Sequence, residues 1–138
     1  HLPYYQPISH TDPNVTYQPA ILVQRTTSIE QNRRLIAAVM SREYLNSYSG
    51  GVSIENHLNM IIPIMGTCPP ISQQTICFLL NTQIFDLIFR SINGSTAVSA
   101  YEIEALPFPS LKELVRIEEL LNNNQEQYAI DLLNQIYL

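Results

Sequence analysis

Four arginines, Arg25, Arg33, Arg34 and Arg42, lie between Gln24 and Arg42 with Glu30 as the single acid among them. A guanidinium presents a planar fork of donors that fits a phosphate or the major-groove edge of guanine, and a Gln or Asn amide matches an adenine edge. Gln24, Gln31 and Asn32 stand beside these arginines. The combination suits contact with nucleic acid, although a solvated hairpin carrying arginines presents the same residues. Other chemistries are poorly supplied. Cys68 precedes Pro69-Pro70 and Cys77 falls inside a helical pattern, neither with a positioned base, so neither reads as a nucleophile. His1, His10 and His57 have no His-x-x-x-His spacing and the cysteines no paired spacing, so no metal site is expected. Gly50, Gly51, Gly66 and Gly94 form no phosphate-cradling loop. Glu102 and Glu104, near the start of a short helical pattern, read as solvated or favoured by the helix dipole.

The elements that must position the arginines belong to a chain of 138 residues, enough for one domain that buries roughly 70% of its unfolded surface. Apolar residues make up 46% and charged residues 14%, which excludes a disordered or fibrous chain. No apolar run approaches the roughly 20 residues that span a bilayer, and no membrane partner is expected. Two cysteines cannot build a disulfide framework, so a reduced, cytoplasmic setting is the expectation. The opening His1-Leu2-Pro3 reads as a piece of a longer protein. The net charge of -5 is unevenly spread. Residues 1–100 balance five arginines against five acids, whereas residues 101–138 set Lys112 and Arg116 against seven acids. All the excess acidity therefore lies in the last part of the chain, and the strongest positive field lies around Arg25 to Arg42.

Residues 1–19, with four prolines, read as an irregular arm. Ala20 to Thr27 reads as a strand running from core to surface. Ser28 with Gln31 makes a capping box that predicts a helix, while Arg33 to Met40 also suits a second strand of a hairpin that pairs Thr27 with Arg33. Val52 to Ile62 alternates as one half-buried strand with Ser53, Glu55, His57 and Asn59 on its open face, and Asn56 on the apolar side as a structural clamp. Ser72 to Arg90 has helical spacing with an interruption near Asn81-Thr82, and Gly94 suits the turn after it. Ser99 with Glu102 starts a short helix, Leu106 to Pro109 reads as extended, and Ser110 with Glu113 caps another helix. Asn122 to Asn124 then break the chain before an amphipathic helix over 126–138, with Ile130, Leu133 and Tyr137 on one stripe. The expected class is α+β: a small twisted β-sheet with a projecting hairpin, packed helices and a C-terminal helical extension.

Two stretches carry a family resemblance. One is Pro19-Ala20-Ile21-Leu22-Val23-Gln24-Arg25-Thr26-Thr27 with the later Glu55-Asn56-His57-Leu58-Asn59. The other is Gly94-Ser95-Thr96-Ala97-Val98-Ser99-Ala100-Tyr101 running into Leu106-Pro107-Phe108-Pro109. Together, over roughly residues 19 to 110, the chain resembles the C-terminal specificity, or target-recognition, domain of adenine-specific DNA methyltransferases of type II restriction-modification systems, the TaqI-like specificity domain. Its end also resembles a recognition domain of type I restriction specificity subunits. In the family, an N-terminal catalytic domain binds S-adenosylmethionine and methylates a flipped-out adenine, while this domain grips DNA and reads sequence. The resemblance thus implies a recognition domain over 1–109, an extension over 110–138, and the hairpin over the helix for Arg33 to Met40. It also implies double-stranded DNA and the catalytic domain of the same parent chain as partners.

The catalytic Asn-Pro-Pro-Tyr or Phe motif and a cofactor loop are absent from these residues, so no catalysis and no cofactor are expected of this chain itself. Whether the parent also cleaves DNA stays open. On this resemblance Arg33, Arg34, Arg90, Ser95 and Thr96 are expected to clamp phosphates, with the turn amides around Gly94. Gln24, Arg25, His57 and Asn59 are expected at base edges, with Thr26, Thr27 and Ser99 beside them. The competing reading is a protein-interaction module that docks through the acidic helices after Ser110.

Overall fold

The computed structural model describes residues 2–9, 15–16, 18–25, 31–48, 51–53, 58–93 and 97–138. In chain order these form β1 (Tyr5–Ser9), β2 (Val15–Thr16), β3 (Ala20–Gln24), β4 (Ala37–Met40), α1 (Arg42–Asn46), β5 (Val52–Ser53) and β6 (Leu58–Pro63). The helices α2 (Gln73–Leu80), α3 (Gln83–Ile92), α4 (Ala100–Glu104), α5 (Leu111–Asn122) and α6 (Glu126–Tyr137) follow. One antiparallel sheet has the order β1-β6-β3-β4, and β2 pairs with β5 as a separate ribbon. The class is α+β, as the sequence predicts.

The pleat sorts side chains into two cores. Ile21, Val23 and Ile61 face α2, α3, α5 and α6 in a cluster with Leu79, Phe85, Phe89 and Leu114. Ala20, Met40 and Met60 face the other way and pack with Leu45 of α1. Residues 110–138 contribute Leu114, Ile117, Leu120, Ala129 and Leu133 to the first cluster. Phe85 packs at a tilt against Phe108 at 5.2 Å and meets Tyr137 edge-on at 5.7 Å, so the last helix is bound to the centre of the fold. No single described helix is long and apolar enough to cross a membrane.

Several expectations need correction. The arm over 1–19 contains β1, which adds to the sheet edge beside β6; an edge strand tolerates Pro7, whose missing N–H is not needed there. Tyr5 of β1 donates its buried hydroxyl to the Ile71 carbonyl at 2.6 Å. The strand expected over Arg33 to Met40 begins only at Ala37, because residues 32–35 are drawn onto α3, although the Ile36 carbonyl still accepts the Gln24 N–H at 2.9 Å. The expected hairpin register is kept, with Val23 opposite Ala37 and Ala20 opposite Met40, while Thr27, the expected partner of Arg33, lies outside the described residues. The single strand expected over Val52 to Ile62 is divided between β5 and β6 in two different sheets. The helix α1, capped by Ser41, has no counterpart in the sequence expectations. Leu106 to Pro109 is not simply extended: the Phe108 N–H donates to the Leu106 carbonyl at 2.9 Å, an inverse γ-turn for which the fixed φ of Pro107 is suited. Asn56, Gly94 and Ser28 lie outside the described residues.

The helix signals fare better. Ser99–Glu102 and Ser110–Glu113 both form reciprocal capping boxes. Thr82 interrupts the long helical pattern, donating to the Leu79 carbonyl at 2.6 Å and capping α3, so that α2 and α3 meet at 66°.

Glu118 of α5 completes the start of α2. Its Oε1 accepts the Ser72 N–H at 2.7 Å and the Thr75 hydroxyl at 2.8 Å. Burial on its own would raise this carboxyl, but the hydrogen bonds from Ser72 and Thr75 more than offset that and hold it below its ordinary value. A depressed carboxyl stabilises the fold above the unfolded pKa and loses that contribution as pH falls through the folded value. Glu118→Ala should therefore cost about 1 kcal/mol near neutral pH. Denaturant titrations should show the gap from wild type shrinking as pH falls below the ordinary carboxylate range; an unchanged gap would contradict a charge-assisted cap.

Candidate functional site

Three parts of the chain that are far apart in sequence are joined at one end of the sheet. Val98 donates its N–H to the Arg25 carbonyl at 2.7 Å, just past β3, and its own carbonyl accepts from Asn59 Nδ2 at 2.8 Å, at the start of β6. Asn93, the C-cap of α3, donates through Nδ2 to the Ala97 carbonyl at 2.8 Å. The chain ends at Arg25, Leu58 and Ala97 therefore converge. These are the neighbours of Thr26, Thr27, His57, Ser95 and Thr96, five predicted site residues that lie outside the described residues.

Gln24 and Arg25 stand at this end and are half-buried. Ser99 is close in sequence, with its hydroxyl engaged in the α4 cap, accepting from the Glu102 N–H at 3.2 Å and donating to Glu102 Oε1 at 2.7 Å. Asn59 is a correction. Expected on the open face of its strand, it is wholly buried, because the odd-numbered face of β6 that carries Asn59 and Ile61 is covered by α2, α3, α5 and α6. Alternation identifies the two faces, but neither is open to solvent, since Met60 on the other face is buried against Leu45 of α1. Among the described residues nothing donates to Asn59 Oδ1. A buried unpaired acceptor of this kind costs about 1–3 kcal/mol.

A second group lies along α3. Asp86, 5% exposed, accepts the N–H groups of Arg34 at 2.5 Å and Leu35 at 3.1 Å through Oδ1, and Arg90 Nε at 2.8 Å through Oδ2. Arg90 also donates to the Asn32 carbonyl. Arg33 Nη1 donates to the Asn81 carbonyl at 2.8 Å, and the Asn81 amide exchanges two 2.9 Å bonds with the backbone of Ala37 at the start of β4. The returning limb of the expected projecting hairpin is thus fastened to α3. Arg33, Asn81, Asp86 and Arg90 line an open cleft of about 480 Å³ with Asn32, Gln83 and Leu87. Two guanidinium groups against one carboxylate leave the cleft with excess positive charge. Arg42 opens α1, whose Leu45 packs on the opposite sheet face, so the four arginines of the sequence cluster do not act as one patch.

The α3 axis connects the two groups. Arg90 precedes Asn93 by one turn or roughly 5 Å, so the arginine cleft leads directly to the converged chain ends. Sequence reasoning misses Asp86 and Asn81 as organising residues. Their signals are weak: one acid inside an apolar helical run, and an Asn at the break.

The chain is related in sequence to type II methyltransferases. It is 30% identical over 107 residues to the type II methyltransferase M.BsuBI of Bacillus subtilis, covering 77% of this chain and 21% of that protein. It is 28% identical over 125 residues to the type II methyltransferase M.PstI of Providencia stuartii, covering 89% of this chain and 24% of that protein. The chain spans about a fifth to a quarter of the length of these type II methyltransferases. No protein-family model matches it, and no solved structure does.

Proposed function

We propose that this chain is the target-recognition domain of an adenine-specific DNA methyltransferase of a type II restriction-modification system, gripping duplex DNA in the cytoplasm for a catalytic domain of the same parent chain. The observation that carries the reading is the convergence of Arg25, Leu58 and Ala97 at one end of the sheet, one helical turn from the Arg33–Arg90 cleft. A duplex needs both a fixed phosphate grip and loops gathered within reach of one groove. The relation to type II methyltransferases supports DNA as the ligand, and the short span of the match suits one domain of such an enzyme. Arg33, Arg34 and Arg90 position the duplex, with Ser95 and Thr96. Gln24, Arg25 and His57 approach base edges, with Thr26, Thr27 and Ser99 beside them. The parent supplies the S-adenosylmethionine site.

The test is duplex binding by the chain, followed by fluorescence anisotropy across salt. A chain whose first 100 residues are electrically balanced and carry one basic strip, with its excess acidity confined to residues 101–138, should engage a few phosphates and give a log–log salt slope of about -2 to -4. Absence of binding at low salt, or a flat slope, overturns the reading and favours docking through the acidic α5–α6 pair. Calorimetry with S-adenosylmethionine is expected to show no binding to this chain; one-to-one micromolar binding would place a cofactor site here.

A further inference from the structure

We propose that Asn59 is a positioning residue for sequence recognition, acting by fastening the segment after Thr96 to the end of β3 rather than by touching a base. The proposal rests on the target-recognition reading. Asn59 is fully buried, so its side chain has no access to a ligand. Its Nδ2 instead holds the Val98 carbonyl, and the Val98 N–H holds the Arg25 carbonyl, a relay from β6 through Val98 to β3. Arg25, Leu58 and Ala97, which adjoin the residues assigned to DNA, take their mutual spacing from this relay.

The amide also has a feature that packing does not require. Its Oδ1 lacks a donor among the described residues, whereas a leucine of similar volume would fill the site with no side-chain acceptor left unpaired, at the expense of the donor to the Val98 carbonyl. What the position uses is therefore the Nδ2 donor and the place to which it draws Val98. Base-edge hydrogen bonds weaken steeply outside their narrow range of distance and angle, so a shift of about 1 Å between Arg25 and the 97–99 segment would degrade reading while leaving charge-based grip intact.

The experiment selects duplexes from a randomised pool with the wild-type chain, then measures affinity for the selected sequence and its single-base-pair variants. In Asn59→Leu, loss of the Val98 bond and removal of the unpaired Oδ1 oppose each other, so the melting temperature should stay within about 4 °C of wild type. Its non-specific affinity and salt slope should be unchanged. Its discrimination between the selected sequence and single-pair variants should fall by about tenfold or more. A folded Asn59→Leu that keeps both the selected sequence and its discrimination overturns the role of Asn59 and leaves the recognition reading standing. A wild-type chain that binds no duplex overturns both. If the leucine variant does not fold, Asn59→Ser, which retains a shorter hydroxyl donor, is read by the same ratio at matched folded fraction.

Discussion

Asp86→Ala should lower the stability of the chain by about 3 kcal/mol, seen as a fall of about 10 °C in the melting temperature. Two of the three groups that Asp86 accepts are backbone N–H groups, those of Arg34 and Leu35, and Leu35 is fully buried. The buried Leu35 N–H loses its partner without access to water, at about 1–3 kcal/mol, and the part-buried Arg34 N–H adds a smaller share. The ion pair with Arg90 contributes little beyond this, because the Arg90 side chain is 41% exposed and solvent screens it. Asp86→Asn keeps one acceptor oxygen for these N–H groups and should cost less than half as much. Urea titrations of both variants test the ordering; equal losses would mean that charge, not the seating of residues 32–35, is the source. The consequence for function is positional, since Arg33 reaches its place in the cleft only while the 32–35 segment is held on α3.

What is legible in the sequence follows from how local its signals are. The capping boxes at Ser99 and Ser110 and the break at Thr82 are decided within four residues, and all three form as expected. The β3–β4 pairing is ambiguous locally and comes from the family resemblance, which favours the hairpin over the Ser28–Gln31 helix. The failures are tertiary. Tyr5–Ser9 is a strand because β6 offers a free edge, which a proline-rich arm does not announce. Asn59 alternates correctly with Leu58 and Met60, but alternation cannot tell that both faces of β6 are covered, one by the helices after it and the other by α1. Sequence pattern puts Arg33 and Arg34 at a solvent-exposed tip, whereas Asp86, more than 50 positions away, draws their backbone onto a helix.

That relocation sharpens the contrast between gripping and reading. In the double variant Arg33→Gln/Arg90→Gln each amide retains a donor for Asn81 or Asp86 while the positive charge is removed, so the fold is largely preserved. Duplex affinity at about 0.1 M salt should fall roughly 50-fold, and the salt slope should flatten by about 2, because two phosphates are no longer neutralised. The reduction should be the same for a selected sequence and for its single-pair variants, because phosphates carry no base identity. Arg25→Gln should behave differently. It removes a fork suited to guanine at the converged chain ends, so it should cost about 1–3 kcal/mol on the selected sequence and much less on a site already altered at the contacted pair. Anisotropy titrations on matched and altered duplexes, with melts to confirm folding, measure both ratios. If the double variant loses discrimination while Arg25→Gln loses only overall affinity, then the cleft reads sequence and the sheet end grips, and the two roles must be exchanged.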